Sequence, residues 1–210
     1  MSDSCNPRIK RKSGPSGKIT KNNYRKKALP HLLVDFDGRC AYSMRHIRAS
    51  GKTAMHVDHV NPKLTGRARH LYKNLVLAVA QCNGKKVDTW PSKSEIKKGI
   101  RFLDPCAEQD YGCHIFEDPA TSELVGVTSE GRFHIDMLDL NAETFVWERR
   151  LRAAYRTLAS SPAQILGSFS DVSAMRADLM KIVTGSIDDL IPPIPAPPKV
   201  EMVVGKALPD

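Results

Sequence analysis

The chain of 210 residues reads as an α+β fold, and three observations predict this. An apolar run, Leu75 to Val79, leads straight into a polar segment carrying Asn83, Lys85 and Lys86, the pattern of a strand feeding a helix. Ahead of it, residues 54–59 alternate as a short strand does. Further on, residues 110–136 alternate or carry β-branched residues between turn signals, whereas the stretch after Asn141 has a helical apolar face. One domain is expected at this length, two small ones at most. Hydrophobic content of 41% is a little low yet allows a core.

The charge is unevenly spread. Of a net +9, residues 1–27 hold nine basic side chains against Asp3 alone, leaving about +1 for the rest. A charge gathered in one arm reads as a polyanion-binding tail; a merely solubilising disordered terminus is the plain alternative. No apolar run reaches the length of a membrane span. The N-terminus lacks the apolar stretch of a signal peptide. Five cysteines, odd in number and scattered, do not outline a disulfide framework. The expectation is a soluble, cytoplasmic protein. It divides into a basic arm (1–27), a core (28–103), an α+β region (104–187) and a Pro-rich tail (188–210).

Residues 1–23 are expected to be disordered. A helix is predicted over 24–36, with Pro30 in its first turn, where no amide hydrogen is needed. Leu32, Leu33 and Phe36 mark its apolar face. Asp37-Gly38 is a turn signal. In the strand at 54–59, alternation puts His56 and Asp58 on one face and Met55, Val57 and His59 on the other. Asn61-Pro62 breaks the strand. Lys63, Arg67, Arg69 and Lys73 form a basic loop suited to a phosphate backbone. A helix should begin near Ala80, with Asn83 in its first turn. Ser92 to Glu95 matches a capping box and predicts a helix to about Phe102. A small antiparallel meander is expected over 110–136, with RFHIDML as its last strand. Asn141 should cap a helix with Phe145, Leu151, Ala154, Tyr155 and Leu158 on one face. Its arginines, Arg149, Arg150, Arg152 and Arg156, read as a solvated surface, with nucleic-acid contact the lesser alternative. Another helix is expected from Asp171, and residues 191–199 read as an extended polyproline segment.

Asp58, His59, Asn74 and Asn83 are the candidate site. Oxygen ligands suit a hard cation such as Mg²⁺, and an imidazole beside it is placed to deprotonate water. Asp58 and His59 can serve one centre only if the strand ends or bulges there. The order DH…N…N with a trailing lysine, after CAYS at 40–43, resembles the HNH motif of the ββα-metal nucleases over about residues 38–90. The resemblance implies a ββα-metal core with flanking helices. It makes Asp58 and Asn83 ligands of Mg²⁺ or Mn²⁺, His59 the general base, and Asn74 the residue that fixes the loop orienting His59. His56, Lys85, Lys86, Arg67 and Arg69 become candidates for nucleic-acid contact; His56 reads also as a third ligand or a packed neighbour. The family's two Cys-x-x-Cys knuckles survive only as Cys40 with Ser43 and Val79 with Cys82, so structural Zn²⁺ is not expected.

Asp104-Pro105, His114-Ile115, the G-x-x-x-x-G-R of 126–132 and LDLN before an arginine-bearing helix resemble the HNH effector nucleases of Septu-type and retron-linked anti-phage systems. Those work with an ATPase partner. Together the resemblances imply an endonuclease that hydrolyses phosphodiester bonds, on DNA before RNA, leaving a 5′ phosphate and a 3′ hydroxyl. The alternative is a nucleic-acid-binding module with an inactive site.

Overall fold

The computed structural model describes residues 6–12, 14–160 and 194–197; the helix expected from Asp171 and most of the Pro-rich tail lie outside them. The elements run α1 (Tyr24–Asp35), α2 (Ile47–Ser50), β1 (Met55–His59), α3 (Gly66–Arg69), β2 (Leu75–Val79), α4 (Ala80–Lys86), α5 (Lys93–Lys97), β3 (Ile115–Glu117), β4 (Leu124–Gly126), α6 (Ser129–Leu138) and α7 (Glu143–Ser160). The class is α+β, with a ββα core made by β1, β2 and α4.

β1 and β2 pair antiparallel, Met55 opposite Val79 and His59 opposite Leu75. Every residue of β2 is buried because both faces are covered: α1 and α4 each pack on both strands. A continuous apolar strand is what two covered faces require. Phe36, Leu32, Leu77, Leu103, Leu138, Leu140 and Phe145 extend this core towards the second half of the chain.

The helix at 24–35 forms, but Pro30 lies in mid-helix and not in the first turn. Pro30 is exposed, so the hydrogen bond that its ring forgoes falls on the solvent side, where a carbonyl can be hydrated. The capping box at Ser92 and Glu95 is present on both sides. Its helix stops at Lys97, well before Phe102, and Gly99 follows at φ +80°, a conformation glycine adopts at little cost.

The expected meander is a two-stranded hairpin of β3 and β4. The segment RFHIDML is helical, in α6. Short apolar runs fit either period, and the helix wins because Gly131, His134, Ile135 and Leu138 fall on one buried face while Thr128 caps the Gly131 amide at 3.1 Å. The glycines of the G-x-x-x-x-G-R stretch permit close packing. A Cβ on Gly126 would lie 2.3 Å from the Arg132 nitrogen, and one on Gly131 would lie 2.3 Å from the His114 carbonyl oxygen.

Two further expectations give way in α7. Asn141 does not cap it: its amide pairs with both backbone groups of Leu124, at 2.7 and 2.9 Å. Arg149 and Arg152 are buried, not solvated. Arg149 donates to the carbonyls of Ser122 (2.6 Å) and Leu140 (3.1 Å), and Arg152 forms an ion pair with Glu117. Guanidinium groups are buried where acceptors such as these meet their donors. Residues 194–197 lie beside β3, where the Glu117 amide donates to the Pro195 carbonyl at 2.8 Å.

Residues 8–11 of the arm make contacts with the rest of the chain. Arg8 clamps Asp110 through two bonds, of 2.6 and 2.8 Å, and donates to the Ala41 carbonyl at 2.6 Å. The Ile9 amide donates to the Pro105 carbonyl at 2.8 Å, and its side chain packs on the core. Arg11 donates to the Leu75 carbonyl at 2.7 Å. Two of the arm's cations are thus structural.

Candidate active site

β1 pairs regularly with β2 through to His59, without a bulge. Strict alternation therefore holds. His56 and Asp58 face α4, and His59 faces α1. Of the two expected alternatives the strand ends here, at His59, and does not bulge; the side chains of Asp58 and His59 point to opposite sides of the sheet.

On the α4 side Asp58 is 5% exposed. Its Oδ2 accepts from the Tyr42 hydroxyl at 2.5 Å and lies 3.1 Å from Lys86 Nζ. Its Oδ1 accepts from the His59 amide at 2.7 Å. Lys86, expected to meet phosphate, is fully buried. Its ammonium donates to the His59 carbonyl at 2.6 Å and lies 5.5 Å from the centre of the Phe102 ring. Burial lowers its pKa more than Asp58 raises it. Burial first, and then the Asp58 charge, push the Tyr42 hydroxyl well up. Asn83 stands one turn before Lys86 with its amide nitrogen 3.2 Å from His56 Nδ1. Lys85 pairs with Asp139 at 2.8 Å, just past the end of α6.

On the α1 side His59 opens into a cleft of about 550 Å³ lined by Lys21, Asn22, Tyr24, Arg25, Arg69 and His70. His59 Nε2 is 3.2 Å from His70 Nδ1. The Tyr24 ring stacks on His70 at 5.1 Å and meets His59 at 5.0 Å, so one aromatic side chain steadies both imidazoles. Burial, followed by the positive charges of Arg69, His70 and Lys86, lowers the His59 pKa to about 4. His70 is lowered too, by burial and then by Arg69 and Lys21. The His59 ring is therefore neutral at neutral pH, and in the contact with His70 one ring donates and the other accepts. Of the basic residues singled out in the loop, Arg69 lines this cleft; Arg67 is exposed on α3 and does not.

Asn74 ties the loop that follows β1. It is buried in a 3₁₀ turn just before β2. Its Oδ1 accepts from the Asn61 amide at 2.9 Å, and its Nδ2 donates to the carbonyls of Asn61 (3.0 Å) and Arg69 (2.9 Å). Sequence reasoning missed Lys21, Asn22, Tyr24, Arg25 and His70. Part of the signal was there, since Lys21 and Arg25 belong to the basic arm and His70 to the basic loop.

Cys40 and Cys82 are both buried, and they meet. Burial opposes a thiolate at Cys40, yet hydrogen bonds from the Cys82 thiol and from Ser43 draw its pKa down to about 6. Cys82, the donor of that pair, is pushed up. Cys106 is a half-buried free thiol, and Cys113 is disulfide-bonded.

Residues 39–89 match the HNH endonuclease family model. No curated protein and no solved structure matches the chain. The match supports an HNH nuclease domain in this segment, a kind of domain that generally cleaves nucleic acid with a divalent metal ion. As the side chains stand, the donor set does not fit such an ion. Asp58 is taken up by a hydroxyl, an amide and an ammonium, and the Asn83 amide is turned to His56. Among the described residues no group of three His, Cys, Asp or Glu could hold a metal. Asp58 and Asn83, expected as ligands, both lie on the α4 side, Asn83 with its amide against His56. Also among the described residues, no helix is long and apolar enough to cross a membrane.

Proposed function

We propose that this chain is an endonuclease that hydrolyses phosphodiester bonds of nucleic acid in the cleft at His59. One observation carries the reading. Within the segment that matches the HNH family, a neutral imidazole opens into a cleft whose other charged walls are Lys21, Arg25 and Arg69. Cationic walls take up the phosphate and offset the charge that builds on it during attack. His59 accepts a proton from the attacking water, and such general-base help is worth about 10²–10⁴-fold in rate. Asn74 holds the loop that carries Arg69 and His70 against His59. No step is assigned to a metal ion here, because Asp58 is closed to it in this arrangement. The substrate is proposed to be DNA. The setting, an anti-phage effector beside an ATPase partner, rests on the resemblance of residues 104–132 and of the helix after them.

The test is nicking of a supercoiled plasmid with Mg²⁺ or Mn²⁺ present. His59→Ala should lose cleavage by about two to four orders of magnitude and keep nearly all DNA binding, since the imidazole acts on a proton in the transition state. A variant that cuts as fast as the parent would sink the reading. The closed state of Asp58 favours a second reading, a binding module with a silent site. That reading gains if the parent binds DNA yet nicks it with neither ion.

A further inference from the structure

Lys86 is the last residue of α4 and is buried completely. Its ammonium lies 3.1 Å from Asp58 Oδ2 and donates to the His59 carbonyl at 2.6 Å, with the Phe102 ring on a further side. A buried ammonium is costly unless paired, and a carboxylate as deeply placed as Asp58 needs a cation. Each meets the other's need. An ionised carboxylate has about four lone-pair sites, and Tyr42, the His59 amide and Lys86 occupy three of those on Asp58. A hard divalent ion needs this same oxygen and is repelled by the ammonium beside it.

We propose that Lys86 is a built-in counter-ion that closes Asp58 to divalent cations, and that such an ion takes Asp58 only when the ammonium swings off it. Lysine suits this role. Its charge rides on a flexible four-carbon stem and gives up partners more readily than a planar guanidinium fork. The joint beside it is strained as well. Val87 follows at φ +48° and is 64% exposed, a region that β-branched residues rarely adopt. Lys86 thus sets the affinity of the site for metal. The proposal rests on the HNH reading only for the class of ion, and its test uses no nucleic acid, so its failure leaves the cleavage proposal standing.

The full chain is titrated with Mn²⁺ by calorimetry, with electron paramagnetic resonance following the free ion. Lys86→Met should bind Mn²⁺ more tightly than the parent, on the order of tenfold or more. The double variant Lys86→Met with Asp58→Asn should lose that gain. A smaller gain in the single variant, or a gain that survives Asp58→Asn, overturns the proposal. Should Lys86→Met fail to fold alone, Mn²⁺ must restore its circular dichroism, because the ion is then required to replace the ammonium. An absence of rescue overturns the proposal equally.

Discussion

Replacing Asn74 by alanine tests how the loop after β1 is held. The side chain is 6% exposed and makes three hydrogen bonds to backbone groups, of 2.9, 3.0 and 2.9 Å. At about 0.5–1.5 kcal/mol net for each bond, the sum spans about 1.5–4.5 kcal/mol. The partners at Asn61 and Arg69 are half-buried, so water reaches them once the loop loosens, and a loss near the lower end, about 2 kcal/mol, is expected. Function should suffer beyond this. Arg69 and His70 end the loop, and His70 sits 3.2 Å from His59. Freed from Asn74, they no longer wall the cleft, and small displacements of reacting groups cost rate steeply. Urea unfolding gives the stability, and plasmid nicking below the unfolding midpoint gives the activity. A loss under about 0.5 kcal/mol, the scale of an ordinary surface substitution, together with unchanged nicking, would refute the view that this amide organises the site.

The other predictions concern charge. Arg8→Ala leaves the Asp110 carboxylate, wholly buried, without its guanidinium, and should cost about 3 kcal/mol or more in urea unfolding; a loss below about 1 kcal/mol would mean that the arm's contacts are incidental. Lys21→Ala and Arg25→Ala should each weaken DNA binding and reduce the slope of log affinity against log salt by about one; unchanged slopes would place the phosphate elsewhere. His134 should make stability fall in mild acid. Its Nδ1 accepts from the Leu103 amide at 3.0 Å, so the ring must stay neutral, and burial lowers its pKa from 6.5 to about 4. Between those values the unfolded chain binds the extra proton, so stability present above pH 6.5 drains away as pH falls towards 4, by up to about 3 kcal/mol. His134→Gln should flatten that part of the stability profile, and an equally steep profile would remove His134 as its cause.

The core was legible in the sequence because its signals are local. Leu75 to Val79 are apolar without interruption, and that run by itself demands two covered faces. The alternation of Met55 to His59 gave the correct faces. The motif called for an end or a bulge at His59, and the strand pairs regularly up to His59 and ends there. What stayed hidden depends on contacts distant along the chain. Nothing near Arg8 announces Asp110, 102 residues on. The arginines of α7 resemble a solvated face until Ser122, Leu140 and Glu117 come round to meet them. RFHIDML reads as strand or helix by period alone, and the close approach permitted by Gly126 and Gly131 settles it. The cleft was half visible: its lysine and arginines were noticed as charge, but Tyr24, which steadies His59 and His70, is one aromatic at the head of a helix with no local mark of its role.

The two faces of the sheet are joined through one ammonium. Asp58 looks towards α4 and His59 towards α1, so no side chain of β1 can couple them directly. Lys86 does so by another route, since it meets the Asp58 carboxylate with its charge and the His59 backbone carbonyl with a hydrogen bond. The His59 amide closes the circuit by donating to Asp58 Oδ1. An ammonium drawn off both partners together would also free the peptide group that carries the His59 ring. A carbonyl released in this way has no other hydrogen-bond donor nearby in the described contacts, and an unpaired buried carbonyl is costly. The end of β1 then has reason to shift, and such a shift is what would bring a residue from each face towards a common point. The packing that closes Asp58 is in this sense the same packing that holds His59 to the α1 side.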